Sequence, residues 1–182
     1  MKKFLLAFGL VCALGALAAA QSKADVILNH YAARSFVAGA ISRPDLDTLI
    51  RAGIRAPSAR NAQPWHFTVV QNVELARRII SDVKDGNVLI VISASGDGKP
   101  TADTLDCGLA AESIYLAAQA LGLGSRIYTG PVSAINRGLK QDLGLPAGYS
   151  AVVVVRIGKI APVDAVSAAS SRKAEGDLVN YK

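Results

Sequence analysis

The 182-residue sequence predicts a layered sandwich of helices and strands, of the α/β or α+β class. Three observations carry this. Segments with helical spacing alternate with short β-branched segments. Two continuous apolar runs, Val88–Ile92 and Ala151–Ile157, have the composition of strands buried on both faces. One long helix, Ala102–Leu121, is crowded with Gly108, Ala110, Ala111, Ala117, Ala118 and Ala120, side chains small enough to let another backbone come close. That helix belongs at the centre of the fold or at a subunit interface. No internal repeat is present.

Taken in order, Ala24–Ala33 reads as a short helix with Val26, Ile27 and Tyr31 on one face. Ser42-Arg43-Pro44-Asp45 is a helix start: a serine cap, an early proline and an acidic residue three positions on. Leu46, Leu49, Ile50 and Ile54 continue that helix until Pro57. Trp65–Gln71 is a strand by its aromatic and β-branched content, and Val73–Asp82 a helix capped by Asn72. The Val88–Ile92 strand runs into a polar turn, Ser95–Pro100, before the long helix. Arg126–Thr129 is a strand, Ala134–Asp142 a helix capped by Ser133, and Ala151–Ile157 the last buried strand. The final twenty residues are polar and have no core of their own.

Half of the residues, 51%, are hydrophobic, which suffices for one substantial core, and the mean hydropathy of +0.32 is high. Much of that excess sits at the N-terminus. Lys2 and Lys3 precede an uncharged run from Phe4, and Ala18-Ala19-Ala20 offers a cleavage site before Gln21, with a second at Ser22-Lys23-Ala24. The pattern is a secretory signal peptide over 1–20, with cleavage as late as residue 24, ahead of a single domain over 21–182. The expected location is exported and periplasmic, with no stable membrane anchor after cleavage; the alternative is an uncleaved anchor helix, for which the apolar run is short. Cleavage removes Cys12 and leaves Cys107 as the one cysteine, so no intramolecular disulfide forms. Charged residues at 19%, with 16 glycines and 7 prolines, exclude intrinsic disorder. Basic residues are spread without aromatic interleaving, which argues against nucleic acid.

Several motifs are dismissed on their chemistry. Gly98-Lys99 resembles the end of a phosphate loop, but Ser93 and Pro100 stand where that loop needs other residues. Gly122-Leu123-Gly124 follows a helix instead of opening one, so it is a helix terminus and not a dinucleotide fingerprint. His30 and His66 have no carboxylate or cysteine at ligand spacing, so no metal site is assigned. Cys107 lies in an apolar helix and reads as a small core residue.

One segment is different. Ala56-Pro57-Ser58-Ala59-Arg60-Asn61-Ala62-Gln63-Pro64-Trp65-His66-Phe67 joins a helix end to a strand start. Its prolines direct the chain, and Ser58, Asn61 and Gln63 offer donors and acceptors suited to the polar edge of a heteroaromatic ring. The competing reading is a hydrogen-bonded loop anchored by Trp65.

This segment resembles the signature A-P-S-x-x-N-x-Q-P-W-x-F of the nitroreductase family. Tyr31-Ala32-Ala33-Arg34-Ser35-Phe36 resembles the family's opening R-R-S element, Asp106–Gly124 its long central helix, and Ile127-Tyr128-Thr129-Gly130 the strand end beneath the flavin ring. Arg172-Lys173 with Leu178-Val179-Asn180-Tyr181 resembles the C-terminal element that returns to the phosphate. The resemblance covers roughly residues 26 to 182. It implies an α+β three-layer sandwich, with a central, mostly antiparallel sheet flanked by helices, in an intertwined homodimer with two interfacial flavins, each touched by both subunits. It also implies FMN as cofactor and a ping-pong reaction from NAD(P)H or another donor to an electron-poor acceptor such as a nitroaromatic or quinone. The cofactor does the chemistry, so no catalytic side chain is named.

The FMN-binding residues so implied are Arg34, Ser35, Pro57, Ser58, Arg60, Asn61, Gln63, Thr129, Gly130, Arg172 and Lys173. Arg34 and Arg172 supply fork donors for a phosphate and Ser35 a hydroxyl, while Arg60 is a cation for the N1 region of reduced flavin. The backbone N–H of Thr129 or Gly130 would face N5. Two features depart from the pattern. Ala33 replaces the first arginine of the opening element, and the short stretch from Ala94 to Thr101 leaves little room for a substrate lid. The rival function is a flavin-binding or electron-relay protein without NAD(P)H turnover, motivated by the scarcity of nicotinamide cofactors outside the cytoplasm.

Overall fold

The computed structural model describes residues 25–96, 98, 101–161 and 172–182. The predicted leader, both cleavage sites, and Asp97, Lys99 and Pro100 of the polar turn lie outside them.

Five strands form one sheet: β1 (Phe36–Val37), β2 (His66–Val70), β3 (Val88–Ser95), β4 (Gly124–Tyr128) and β5 (Tyr149–Ile160). Every pairing is antiparallel. β2 pairs with β3, and β3 with one edge of β5. The other edge of β5 is shared by β4, opposite Val154–Gly158, and β1, opposite Lys159–Ile160. Among the described residues, the helices that flank the sheet are α1 (Arg43–Ile54), α2 (Val73–Ile79), α3 (Ala102–Ala120) and α4 (Val132–Gly138).

The apolar run of β3 divides by its period of two. Val88, Ile90 and Ile92 pack with Leu46 and Leu49 of α1 and with Cys107 and Ile114 of α3. Leu89 and Val91 face the opposite core, with Ala76 of α2 and Ile135 of α4. The sheet is therefore the middle of three layers. α1 closes onto α3 at Gly53, where a Cβ would lie 2.8 Å from Ile114.

The caps at Ser42 and Asn72 form as expected, accepting from the N–H of Asp45 at 3.2 Å and of Leu75 at 2.9 Å. Other boundaries move, each for a tertiary reason. Among the described residues the first helix ends at Leu28, well short of Ala33, because Gln119 grips both backbone groups of Tyr31: its Oε1 accepts from the Tyr31 N–H and its Nε2 donates to the Tyr31 carbonyl. α2 stops at Ile79 because Ile80 turns extended and Arg77 donates to the Val83 carbonyl, folding the next segment back. β4 begins at Gly124, where a side chain would collide with Ile160, and ends at Tyr128 rather than Thr129. α4 starts at Val132 rather than Ala134, since the Val132 N–H bonds to the Thr129 carbonyl; Ser133 is not its cap but accepts from Arg137 inside the helix. β5 extends to Ile160 and gains β1 as a partner.

Arg156 of β5 is 1% exposed. Its Nη1 donates to both Asp82 carboxylate oxygens at 3.0 Å, its Nη2 to the Asp82 carbonyl and Asn87 Oδ1, and its plane lies over Phe36 at 4.1 Å. This cluster ties β1, β5 and the loop before β3 together.

Candidate functional site

The loop between α1 and β2 has the most unusual backbone among the described residues. Among the described residues, the only non-glycine residues in the left-handed region are Arg60 (φ 54°), Asn61 (φ 56°) and Gln63 (φ 49°), all in this loop. Each such conformation costs on the order of 1 kcal/mol and persists only where its surroundings impose it. The imposing bonds are visible. Ala59–Asn61 form a single 3-10 turn, closed by the Asn61 N–H to the Ser58 carbonyl and the Ala62 N–H to the Ala59 carbonyl. Ser58 Oγ accepts from the Gln63 N–H at 3.1 Å, and Gln63 Nε2 donates to the Asn61 carbonyl at 3.2 Å. Asp106 of α3, 2% exposed, accepts from the Ala59 N–H with both carboxylate oxygens.

The outcome is a stiff loop that presents polar groups outward. Pro57, Arg60, Asn61 and Gln63 are exposed, Ser58 is half-buried, and Trp65 packs into the core beneath. Neither the Asn61 amide nor the Arg60 guanidinium is bonded to another described side chain or backbone group. A cleft of about 420 Å³ runs beside the loop, lined by Ile54, Arg55, Ala56, Pro57, Asn61 and Gln63.

The predicted phosphate residues sit elsewhere. Arg34 and Ser35 are exposed on the segment that bonds to β4 through the Ala33 N–H and the Ser125 carbonyl, 3.0 Å apart. Arg172 and Lys173 are exposed on the C-terminal segment. Tyr115 of α3 links these parts: its hydroxyl lies 3.1 Å from His30 Nδ1. Burial pushes its phenol above the ordinary value, while the Arg172 charge is near enough to act against that rise. Ala33 is fully buried, its side chain facing Gly124, so an arginine there would have no room.

Strand register divides the predicted residues. His66, at the loop's exit, pairs with Ser93, which pairs with Ala151; this is the end of the sheet where α3 starts. Ala33 meets β4 near its start, opposite Ile157 on β5, at the end where α3 finishes. Asp106 anchors the loop and Gln119 the opening segment, thirteen residues or about 20 Å apart along α3. Thr129 and Gly130 follow β4 directly and are exposed; from Ser125 to Gly130 is about 17 Å of extended chain. At Gly130 a Cβ would meet nothing within 4 Å, so the chain itself does not require glycine there.

The residues set aside by the sequence behave as core or packing groups. Burial, with Asp103 and Asp106 nearby, raises the Cys107 thiol to about 12, far from a reactive thiolate. The His66 ring packs edge-on against Tyr149. Asp106, Tyr115 and Gln119 hold the neighbouring segments at Ala59, His30 and Tyr31, contacts that the sequence did not reveal. The available signal was a polar side chain at a buried phase of a helix otherwise made of small apolar residues.

The model of the nitroreductase family matches residues 27–88 and 81–159, most of the chain. The chain belongs to the nitroreductase family. A protein of Archaeoglobus fulgidus named as an NADH dehydrogenase/NAD(P)H nitroreductase is 34% identical over 129 residues, which is 65% of this chain and 74% of that protein. One of the same name from Methanothermobacter thermautotrophicus is 32% identical over 62% of this chain and 64% of its own length. The crystal structure of a nitroreductase with bound FMN from Bacteroides fragilis superimposes with a TM-score of 0.71 at 22% identity, over 87% of this chain and 97% of that one. A second FMN-bound nitroreductase, from Desulfitobacterium hafniense, gives 0.69 at 24% over 87% and 96%. These structural likenesses establish the family's fold, a three-layer sandwich around an antiparallel sheet.

Proposed function

We propose that this chain is an exported FMN-dependent oxidoreductase, working as a homodimer between NAD(P)H or another electron donor and an electron-poor acceptor. The observation that carries this is the strained loop around Asn61, whose own hydrogen bonds and the Asp106 carboxylate hold an unengaged amide outward. The donor set fits FMN. Arg34 and Arg172 provide forked cations for a phosphate, with Ser35 and Lys173 beside them. Asn61, Gln63 and Arg60 provide donors, acceptors and a cation for the ring edge, with Pro57 and Ser58 shaping the loop. The open Cβ position at Gly130 lets a flat ring come close to the chain after Thr129. FMN, when bound, supplies the two-electron redox chemistry.

A dimer accounts for the division of these residues. Arg34 and Ser35 follow the residue bonded to the start of β4 and Thr129 and Gly130 follow its end, while Arg172 acts on Tyr115 beside His30. The Asn61 loop enters β2, with β3 and β5 between it and this strip. We assign the strip of one copy and the loop of the other to each flavin. α3 supports this. Leu105 is 67% and Leu109 37% exposed, and Gly108 between them meets nothing where its Cβ would be, although glycine weakens a helix interior by about 1 kcal/mol. Close packing against a second copy explains all three. Glutamate at both Leu105 and Leu109 should weaken self-association by about a hundredfold and release FMN in parallel, as followed by sedimentation and flavin fluorescence. Loss of association with FMN affinity intact would contradict the shared site.

The spectrum of the purified protein tests the function. A yellow preparation bleached by NAD(P)H supports the oxidoreductase. Yellow protein reduced only by other donors favours an electron relay, and a colourless protein that cannot be reconstituted with FMN overturns both. Arg172→Ala should raise the FMN Kd about tenfold, the low end for a charge-assisted bond because this side chain is exposed. Unchanged affinity would remove Arg172 from the site. Periplasmic location rests on Lys2-Lys3, the apolar run and the Ala18-Ala19-Ala20 cleavage site, and cell fractionation checks it.

A further inference from the structure

We infer that Asp106 is a positioning residue for the ring-edge loop: it holds the Ala59 N–H and so keeps Asn61 and Gln63 presented to the flavin. This rests on the FMN reading above. The 3-10 turn at Ala59–Asn61 begins at Ser58, whose backbone has the extended conformation of a cap but whose side chain does not cap the turn. Ser58 Oγ is used instead to accept from the Gln63 N–H, closing the loop on itself. The first N–H of the turn is therefore left for a group from elsewhere. Asp106 supplies it, with Oδ1 at 3.2 Å and Oδ2 at 3.1 Å.

Three features make this bond more than a surface contact. Asp106 is 2% exposed, a carboxylate withdrawn from water on the second turn of a helix made of small residues. It bridges two elements far apart in sequence, so it fixes where the loop sits relative to α3. It also stands immediately before the left-handed run at Arg60 and Asn61, which relaxes unless both ends are held. Leu105 and Leu109, the exposed residues assigned to the dimer contact, flank it on the same helix. The group that aims the loop is thus built into the helix that meets the second copy.

The full chain carrying Asp106→Ala or Asp106→Asn decides the matter by two readouts. Amide hydrogen exchange at Ala59, Asn61, Ala62 and Gln63 needs no flavin. Asp106→Ala should speed it by about tenfold or more, with β3 and β5 amides unchanged. FMN titration should give a Kd raised about tenfold in the same variant, the size expected for one lost charge-assisted hydrogen bond. The asparagine carbonyl still accepts from the Ala59 N–H, so Asp106→Asn should restore both to within about threefold of wild type. Should Asp106→Ala fail to fold, Ala59→Pro deletes the same bond from the exposed side, at a turn position where proline is tolerated, and should reproduce both losses. Loop exchange and FMN affinity at wild-type values, or an asparagine variant no better than alanine, overturn the assignment. If wild type itself does not bind FMN, the flavin reading fails, and exchange at 59–63 alone then shows whether Asp106 holds the loop.

Discussion

Asp82→Ala should lower the unfolding free energy by about 3 kcal/mol at neutral pH, the low end of the cost of unpairing a buried charge. The stake lies with Arg156, not with Asp82. The Asp82 side chain is 65% exposed and loses little by itself, whereas the guanidinium is 1% exposed and loses its counter-charge. Asn87 Oδ1 and the Asp82 carbonyl remain as neutral acceptors, which keeps the cost at the low end. A pH signature accompanies it. Burial raises the Asp82 carboxyl, but the hydrogen bond and charge of Arg156 outweigh that and hold it below the ordinary 3.8. A depressed carboxyl contributes stability that is fully present above its unfolded value and is lost as pH falls through the folded one. The gap between wild type and Asp82→Ala should therefore be constant near neutrality and narrow below about pH 3.8. Urea unfolding at pH 7 and pH 3 checks both parts. A gap that is small at pH 7, or that does not narrow in acid, would show Arg156 to be satisfied without the carboxylate.

At the site, Asn61→Asp should weaken FMN binding by about thirtyfold and lower its reduction potential by tens of millivolts, about 30 mV for each 1.4 kcal/mol of differential stabilisation. Asparagine and aspartate both tolerate the φ of 56° that this position requires, so the substitution leaves the loop's backbone unstrained. It exchanges a donor for a negative charge at the ring edge, where reduced flavin is the more anionic form, so the reduced state loses more. Asn61→Gly separates the two effects. It suits the same backbone and removes the amide without adding charge, so it should weaken binding by about tenfold with a smaller shift in potential. Both variants without flavin should melt within a few degrees of wild type, since Asn61 is exposed and its amide bonds to nothing else described. Unaltered affinity and potential in both would return the loop to a purely structural role. A leucine here would confuse the outcome, because its side chain disfavours the left-handed region.

How much of this was legible in the sequence varies with the range of the forces involved. Ser42 and Asn72 cap their helices by bonds three residues away, and Val88–Ile92 is a two-faced strand because every residue in it is apolar; both are local facts. The loop from Pro57 to Trp65 was likewise legible as exceptional, since two prolines, two amides and a tryptophan crowd into one short stretch. Local pattern failed where a distant group intervenes. Tyr31 has helical spacing around it, but Gln119 takes both its backbone groups. Phe36–Val37 is too short to read as a strand until Lys159 and Ile160 extend far enough to pair with it. The candidate site followed the same division. Its residue types were readable, because donors for a phosphate and amides for a ring edge are properties of single side chains. That Arg34 and Asn61 lie at opposite ends of one helix was not, because separation depends on strand register and on Asp106 and Gln119 reaching across from α3. What the sequence alone determined was therefore the chemistry offered and the elements offering it. Only the tertiary structure decided that the candidate residues fall into two separate groups, since that follows from long-range hydrogen bonds and close backbone approaches, which no short stretch of sequence contains.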